Sequence, residues 1–204
     1  MSDPRVSLPP GYFEMVYGAH ADPWGFETSD YEAAKYEATL AALPRTRYRM
    51  GFEIGCSIGM LTQRLAQRCN RLLAVDVVPD VLERARQRCR DQPQVRFSLM
   101  ETPGELPDDL FDLIVVSEVA YYWSVDALAE ARRALAERLH PSGHLILVHW
   151  TPWVHDYPQT GDQVHDAFME EAGPSGAFRH LTHQREETYR LDLFERRADS
   201  TRAS

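Results

Sequence analysis

The chain predicts an α/β domain: a mostly parallel sheet of about seven strands, the last antiparallel, with helices on both faces. Three observations carry this expectation. Between residues 50 and 150, short apolar runs alternate with runs of helical period, the pattern of parallel strands joined by covering helices. Two of the runs, "LIVV" and "LILV", are apolar without a break, as strands buried on both faces are. In "FEIGCSIG", Phe52 to Gly59, a strand ends on an acid and a glycine and turns at once into a helix.

The elements follow in order. A polar, aromatic-rich lead-in precedes the helix "SDYEAAKYEATLAAL", capped by Ser29 or Asp30, with Tyr31, Ala34, Ala38, Leu40 and Leu43 in helical period and Pro44 at its end. "MGFEI" is a strand, "GMLTQRLAQRC" a helix and "RLLAVD" a strand. "PDVLERARQRC" is a helix with Pro79 in its first turn. "VRFSLM" and "FDLIVVSE" are strands, and "SVDALAEARRALAERL" is a helix capped by Ser124. Pro141–Gly143 turns the chain into the strand "HLILVHW". Beyond Trp150 the alternation breaks into a loop, the short helix "VHDAFMEEA" and the turn "GPSG". "FRHLTHQREETYRLDLFERR" then reads as two antiparallel strands. The division is residues 1–45 for the lead-in and its helix, 46–197 for the main domain and 198–204 for a frayed tail.

Composition narrows the function. The 204 residues suffice for one sizeable core. A formal charge of −9 argues against nucleic acid, whose phosphates need a basic face, and suits a neutral or cationic small molecule. No apolar run is long enough to cross a bilayer, and "MSDPRVSLPPGYF" is not built like a secretory signal, so a cytoplasmic protein with no membrane partner is expected. Cys56, Cys69 and Cys89 are too scattered for a disulfide framework or a zinc knuckle. No metal is expected; the spacing of the histidines after residue 148 matches no zinc signature. Oligomeric state is not legible.

The glycine turn lies where open parallel sheets bind ligands, at the carboxyl ends of their strands. A dinucleotide fingerprint from Gly55 would need glycine at Ser57 and Met60, and a triphosphate loop would need a lysine; both fail. What remains is Glu53, Gly55 and Gly59, a spacing suited to a ligand without phosphate. At Gly55 the backbone can approach closely because no Cβ intrudes, and N–H groups around Gly59 are free for polar contacts. Asp76 ends the next strand, where an acid accepts hydrogen bonds from ribose hydroxyls, although it could also cap the helix at Pro79.

With these residues the chain resembles the class I S-adenosylmethionine-dependent methyltransferases, of Rossmann-like fold. "FEIGC", "VDVVP", "FDLIVVSEVAYY" and "LHPSGHLIL" resemble the nodulation-protein-S family, whose described members N-methylate a deacetylated chitooligosaccharide. "DPWGFETSDYEAAKYEATLAALP" is similar to that group's lid over the cofactor. The likeness covers roughly residues 12 to 150; Ser57, where many methyltransferases carry glycine, departs from the pattern, and the segment after Trp150 does not match. The resemblance implies S-adenosyl-L-methionine as cofactor, with S-adenosyl-L-homocysteine as product. It implies a cofactor site of Trp24, Glu53, Gly55, Cys56, Gly59, Asp76, Val77, Glu101, Thr102, Ser117 and Glu118. Glu101 would meet the adenine amino group, or else be a solvated loop acid.

The acceptor is expected to be a small molecule. Tyr17, Tyr121, Trp150, His155 and Asp156 are its candidate contacts, and Glu118, His149 and Tyr122 the catalytic candidates. A carboxylate at Glu118 could steady the sulfonium, hold an amine or take its proton. An amine of an amino sugar or chitooligosaccharide is therefore expected, while His149 as a base keeps O-methylation of a sugar or natural-product hydroxyl open.

Overall fold

The structure is a computed structural model that describes residues 3–198, so the expected tail lies, but for Ala198, outside the described residues. In chain order the elements are α1 (Pro10–Ala19), α2 (Asp30–Ala42), β1 (Gly51–Ile54), α3 (Met60–Leu65), β2 (Leu72–Asp76), α4 (Pro79–Arg88), β3 (Val95–Leu99), β4 (Phe111–Ser117), α5 (Val125–Glu137), β5 (Leu139–Trp150), α6 (Gly161–Glu170), β6 (Phe178–Arg185) and β7 (Tyr189–Arg196). They build one seven-stranded sheet in the order β3-β2-β1-β4-β5-β7-β6. The first five strands pair in parallel, and β7 lies antiparallel to both its neighbours.

The unbroken apolar runs have the expected cause. In β4, Ile114 and Val116 face a core with Phe52, Leu128 of α5 and Phe168 of α6, while Leu113 and Val115 face another with Leu61 and Leu65 of α3. Both faces are covered, so neither can be polar. Strand order reverses between β1 and β4, which opens a crevice at their carboxyl ends. The caps work as read: Ser29 accepts from the Glu32 N–H at 3.3 Å and Ser124 from the Ala127 N–H at 3.2 Å.

Four readings change. The lead-in contains a helix, α1, which buries none of its residues; Pro10 starts it, and Phe13 packs edge-on against Tyr122. Phe13 and Tyr17 line the crevice and pack at the edge of the core while staying partly exposed, so no buried apolar stripe announced it. In α2 the buried face is Glu32, Lys35, Tyr36 and Thr39, whereas Tyr31 and Ala34 are exposed. The helix is rotated from its apolar pattern because two charged side chains find partners inside. The expected long helix after the glycine turn is α3 followed by a 3₁₀ turn, Ala66–Arg68. Finally, Pro141–Gly143 lies within β5 as an irregularity: Phe111 pairs with Leu139 but Leu113 with His144, and Ser142 has φ of 62°.

Candidate functional site

At the switch point lies a cavity of about 890 Å³, within the range of small-molecule sites. Its floor is the turn after β1. The Gly55 and Cys56 N–H groups both donate to the Val75 carbonyl at 2.9 Å, tying the turn to β2. Gly55 has φ of 75°, and a Cβ there would stand 3.1 Å from the Cβ of Val119, so only glycine lets the ends of β1 and β4 meet. Gly59 does a different job from the one expected. Its N–H donates to the Cys56 carbonyl, it does not line the cavity, and a Cβ there would press on Ala85 of α4 at 3.0 Å. It is a helix-packing glycine. Ser57 holds φ of 48°, and its hydroxyl meets the Tyr17 hydroxyl at 2.5 Å, which fastens α1 over the turn.

Asp76 ends β2 at the cavity wall and accepts from the Ser57 N–H at 2.8 Å and the Val78 N–H at 3.1 Å. Burial pushes its carboxyl up, and these N–H groups pull it back. It thus braces the glycine turn and the bend that leads into α4 while still facing the cavity; the N-cap of α4 is Val78, and no side chain caps the helix. Glu53, 2% exposed, lines the same wall with Oε2 unpartnered. Burial and the charge of Asp76 push it up to about 8, against a pull from Thr62. A cationic group beside it would satisfy that oxygen, which fits the ammonium of S-adenosylmethionine.

The opposite end is a buried ion network that the sequence reading did not contain. Lys35, 3% exposed, donates to Glu32 Oε1 at 2.8 Å and to Glu118 Oε1 at 2.6 Å. Glu118 Oε2 accepts from the Tyr121 hydroxyl at 2.6 Å and the Trp150 N–H at 2.9 Å. Glu118, at φ of 56°, therefore anchors α2 to the ends of β4 and β5. Burial alone would lower the Lys35 amine, but the two carboxylates override it and hold the ammonium charged. One signal was available: Lys35 is the only lysine among 22 basic residues. A lysine is a compact charge that can tie two carboxylates together, whereas arginine prefers one in a planar fork.

The walls are aromatic. Trp24 stacks on Phe26 at 5.5 Å and meets Tyr17 edge-on. Tyr121 stacks on Tyr157 at 4.9 Å, and the Tyr122 hydroxyl donates to that of Tyr157 at 3.3 Å. Burial pushes both Tyr121 and Tyr122 far up, so they act as donors and as apolar walls rather than as bases. Val77, Glu101, Thr102, Ser117, Cys56 and Trp150 also line the cavity. His155 and Asp156 do not; they pair with each other on the exposed loop after β5.

His149 is likewise withdrawn. It is fully buried behind the Tyr121 ring and is not on the cavity wall. Its Nε2 accepts the Ala120 N–H at 3.2 Å, which places its proton on Nδ1, facing His165 Nε2 at 3.1 Å. His165 in turn donates from Nδ1 to Asp192 at 2.6 Å. Burial would raise Asp192, yet the bonds from His165 and His183 and the Arg190 charge hold it well below the usual carboxylate range. Burial keeps His149 neutral, with both nitrogens engaged. The geometry makes it a brace for the turn carrying Tyr121 and Tyr122.

Comparison with known proteins agrees with this layout. Residues 17–151 match the family model of nodulation protein S (NodS). Nodulation protein S of Sinorhizobium fredii is 35% identical over 130 residues, 63% of this chain and 60% of that one. That of Rhizobium tropici is 34% identical over 129 residues, 61% of this chain and 53% of that one. The aligned region thus spans only about half to three-fifths of these relatives. The crystal structure of N-methyltransferase NodS from Bradyrhizobium japonicum WM9 with S-adenosyl-l-homocysteine superposes with a TM-score of 0.77 at 25% identity, covering 91% of this chain and 97% of that one. With the family model covering most of the chain, the Rossmann-like sheet and the cavity at its switch point, this chain belongs to the nodulation protein S family, a family of class I S-adenosylmethionine-dependent methyltransferases.

Proposed function

We propose that this protein is an S-adenosylmethionine-dependent N-methyltransferase that transfers a methyl group to the amine of a small molecule, of the amino-sugar or chitooligosaccharide class. The observation that carries the reading is the charge of the cavity. Seven acidic side chains line it (Glu32, Glu53, Asp76, Glu101, Glu105, Glu118 and Glu130) with one lysine and, among the described residues, no arginine and no histidine; Glu53, pushed up to about 8, takes its charge when a cation sits beside it. Such a wall favours a cationic cofactor and a cationic acceptor, and opposes a phosphate or a carboxylate acceptor. O-methylation would need a positioned base such as imidazole, and the withdrawal of His149 leaves that alternative without support. The N-methyltransferase named among the similar structures supports nitrogen as well.

The bound cofactor supplies a methyl group already joined to a good leaving group. The residues then have to align the acceptor, exclude water and deliver a neutral amine. In this reading Asp76 holds the ribose, Glu53 the ammonium, and Glu101 and Thr102 the adenine side; all four line the cavity. Holding both reactants in line accounts for several kcal/mol of the barrier, up to roughly 7–11 in favourable cases. Trp24, Tyr121, Tyr122 and Tyr157 form the dry walls. The loop that places Val154 and Tyr157 on the cavity also presents Trp153, 61% exposed, a flat apolar face of the kind that stacks on a sugar ring. A cytoplasmic setting belongs to the same proposal.

The test is a panel of free amines, including glucosamine, a chitotetraose with one free amine, polyamines and aromatic amines, each beside its N-acetylated form. Release of S-adenosylhomocysteine is expected with free amines and not with the acetylated forms. Equal turnover of both forms would place the methyl group on oxygen and overturn the reading.

A further inference from the structure

Two carboxylate oxygens on the cavity wall are buried without a hydrogen-bond partner: Oε2 of Glu53 and Oε2 of Glu32. The first stands beside the glycine turn, where the cofactor belongs. The second belongs to the Lys35 network, and the Glu32 side chain is only 9% exposed. An unpaired buried acceptor is costly, and one that faces a cavity is open to a ligand's donor there. Glu118, the obvious candidate from sequence, is already held by three donors: Lys35, Tyr121 and the Trp150 N–H. Its carboxylate is committed to holding α2 against the sheet.

We propose that Glu32 is the carboxylate that binds the acceptor's ammonium and takes its proton. The assignment rests on the amine reading above and names the residue that serves it. In the step, an ammonium N–H bond breaks, its proton joins Oε2, and a neutral amine and a neutral carboxylic acid remain; no other bond changes. Glu32 is suited to this by position, since the Ser29 cap fixes the first turn of α2 and Lys35 fixes Oε1. The groups that face it are Lys35 and the Tyr36 hydroxyl on its own helix and Glu118 from the end of β4. Burial raises its carboxyl, Lys35 opposes this and Glu118 adds to it, with a net upward shift toward the range where a proton acceptor works. The Tyr36 hydroxyl is near enough to lower it somewhat, yet no hydrogen bond reaches Oε2. Lys35 cannot be the base, because its two carboxylates keep it charged.

The experiment uses the full chain, S-adenosylmethionine and the chitotetraose with one free amine, comparing wild type with Glu32→Gln from pH 6.5 to 9.5. At pH 7, kcat/KM of the variant is expected to fall about 10²-fold, the scale of a positioned acid–base group. S-adenosylhomocysteine affinity by calorimetry should stay within about twofold, which also shows that the variant is folded. The deficit should shrink to less than about tenfold at pH 9.5, where the amine arrives neutral and needs no acceptor for its proton. A deficit equal at every pH means a structural role only, and overturns the assignment. So does an unchanged kcat/KM with the amine. Weakened cofactor binding with normal turnover at saturation would move Glu32 to the cofactor and overturn it too. If Glu32→Gln does not fold, Glu32→Asp keeps the charge one methylene back and should show a deficit of about tenfold with the same rescue at high pH. Wild-type protein that methylates no amine at all overturns the amine reading, and this assignment with it.

Discussion

Replacing Lys35 with methionine removes one charge and keeps most of the stem. In wild type, this ammonium lies between Glu32 at 2.8 Å and Glu118 at 2.6 Å, with side-chain exposures of 3%, 9% and 15%. Without it, two poorly solvated carboxylates face each other, and both cannot stay ionised cheaply. The least costly relief is a proton on Glu32, which burial already pushes upward. At pH 7, holding a proton on a carboxyl whose ordinary value is 4.5 costs about 3 kcal/mol. This agrees with the roughly 3–5 kcal/mol seen when one partner of a buried pair is removed. The sign follows from linkage. A carboxyl whose folded value lies above its unfolded one adds stability below the unfolded value and loses it as pH rises through the folded value. Urea unfolding at pH 7.5 should therefore show Lys35→Met less stable than wild type by about 3–4 kcal/mol, and at pH 5.0 by less than about 1. At pH 7.5 the melting temperature should fall by roughly 10 °C for a domain of this size. Equal losses at the two pH values would mean that the lysine acts through its packed stem, and would refute the electrostatic account.

Two further outcomes concern the cofactor end. Asp76→Ala removes a charged acceptor at the end of β2 and frees the Ser57 and Val78 N–H groups, so S-adenosylhomocysteine affinity by titration calorimetry should fall at least about tenfold; unchanged affinity in a folded variant would sink the ribose assignment. Glu53, pushed up to about 8, is mostly protonated at pH 7, and an ammonium placed beside it favours the carboxylate. Calorimetry at pH 7 in buffers of different ionisation enthalpy should then show close to one proton released per S-adenosylhomocysteine bound, and affinity should rise toward pH 8. Glu53→Gln should release none. Proton-neutral binding by wild type would separate Glu53 from the ammonium.

Local pattern was enough for the sheet and for one end of the site. Strand and helix periods, the Pro79 and Ser124 signals and the unbroken "LIVV" run are properties of neighbouring residues, and they survive folding because each element obeys them alone. Gly55 and Asp76 were legible for the same reason: a strand that stops at a glycine, and an acid ending the next strand, mark the crevice of a parallel sheet whatever covers it. The other end was decided by tertiary structure. Lys35 and Glu118 are 83 residues apart, and only their meeting makes it favourable to bury the charged stripe of α2 instead of its alanines. His149 read as a base from its place at the end of a strand, but His165 of α6, 16 residues further along the chain, joins it with Asp192 of β7 and holds its ring behind Tyr121. Gly59 read as a ligand contact until Ala85 of the next helix was set against it. Periodicity records which face of an element is apolar. Which charge may be buried, and which histidine reaches a cavity, depends on partners supplied by distant strands and helices, because a buried ion is stable only where its counter-charge and hydrogen bonds converge in space.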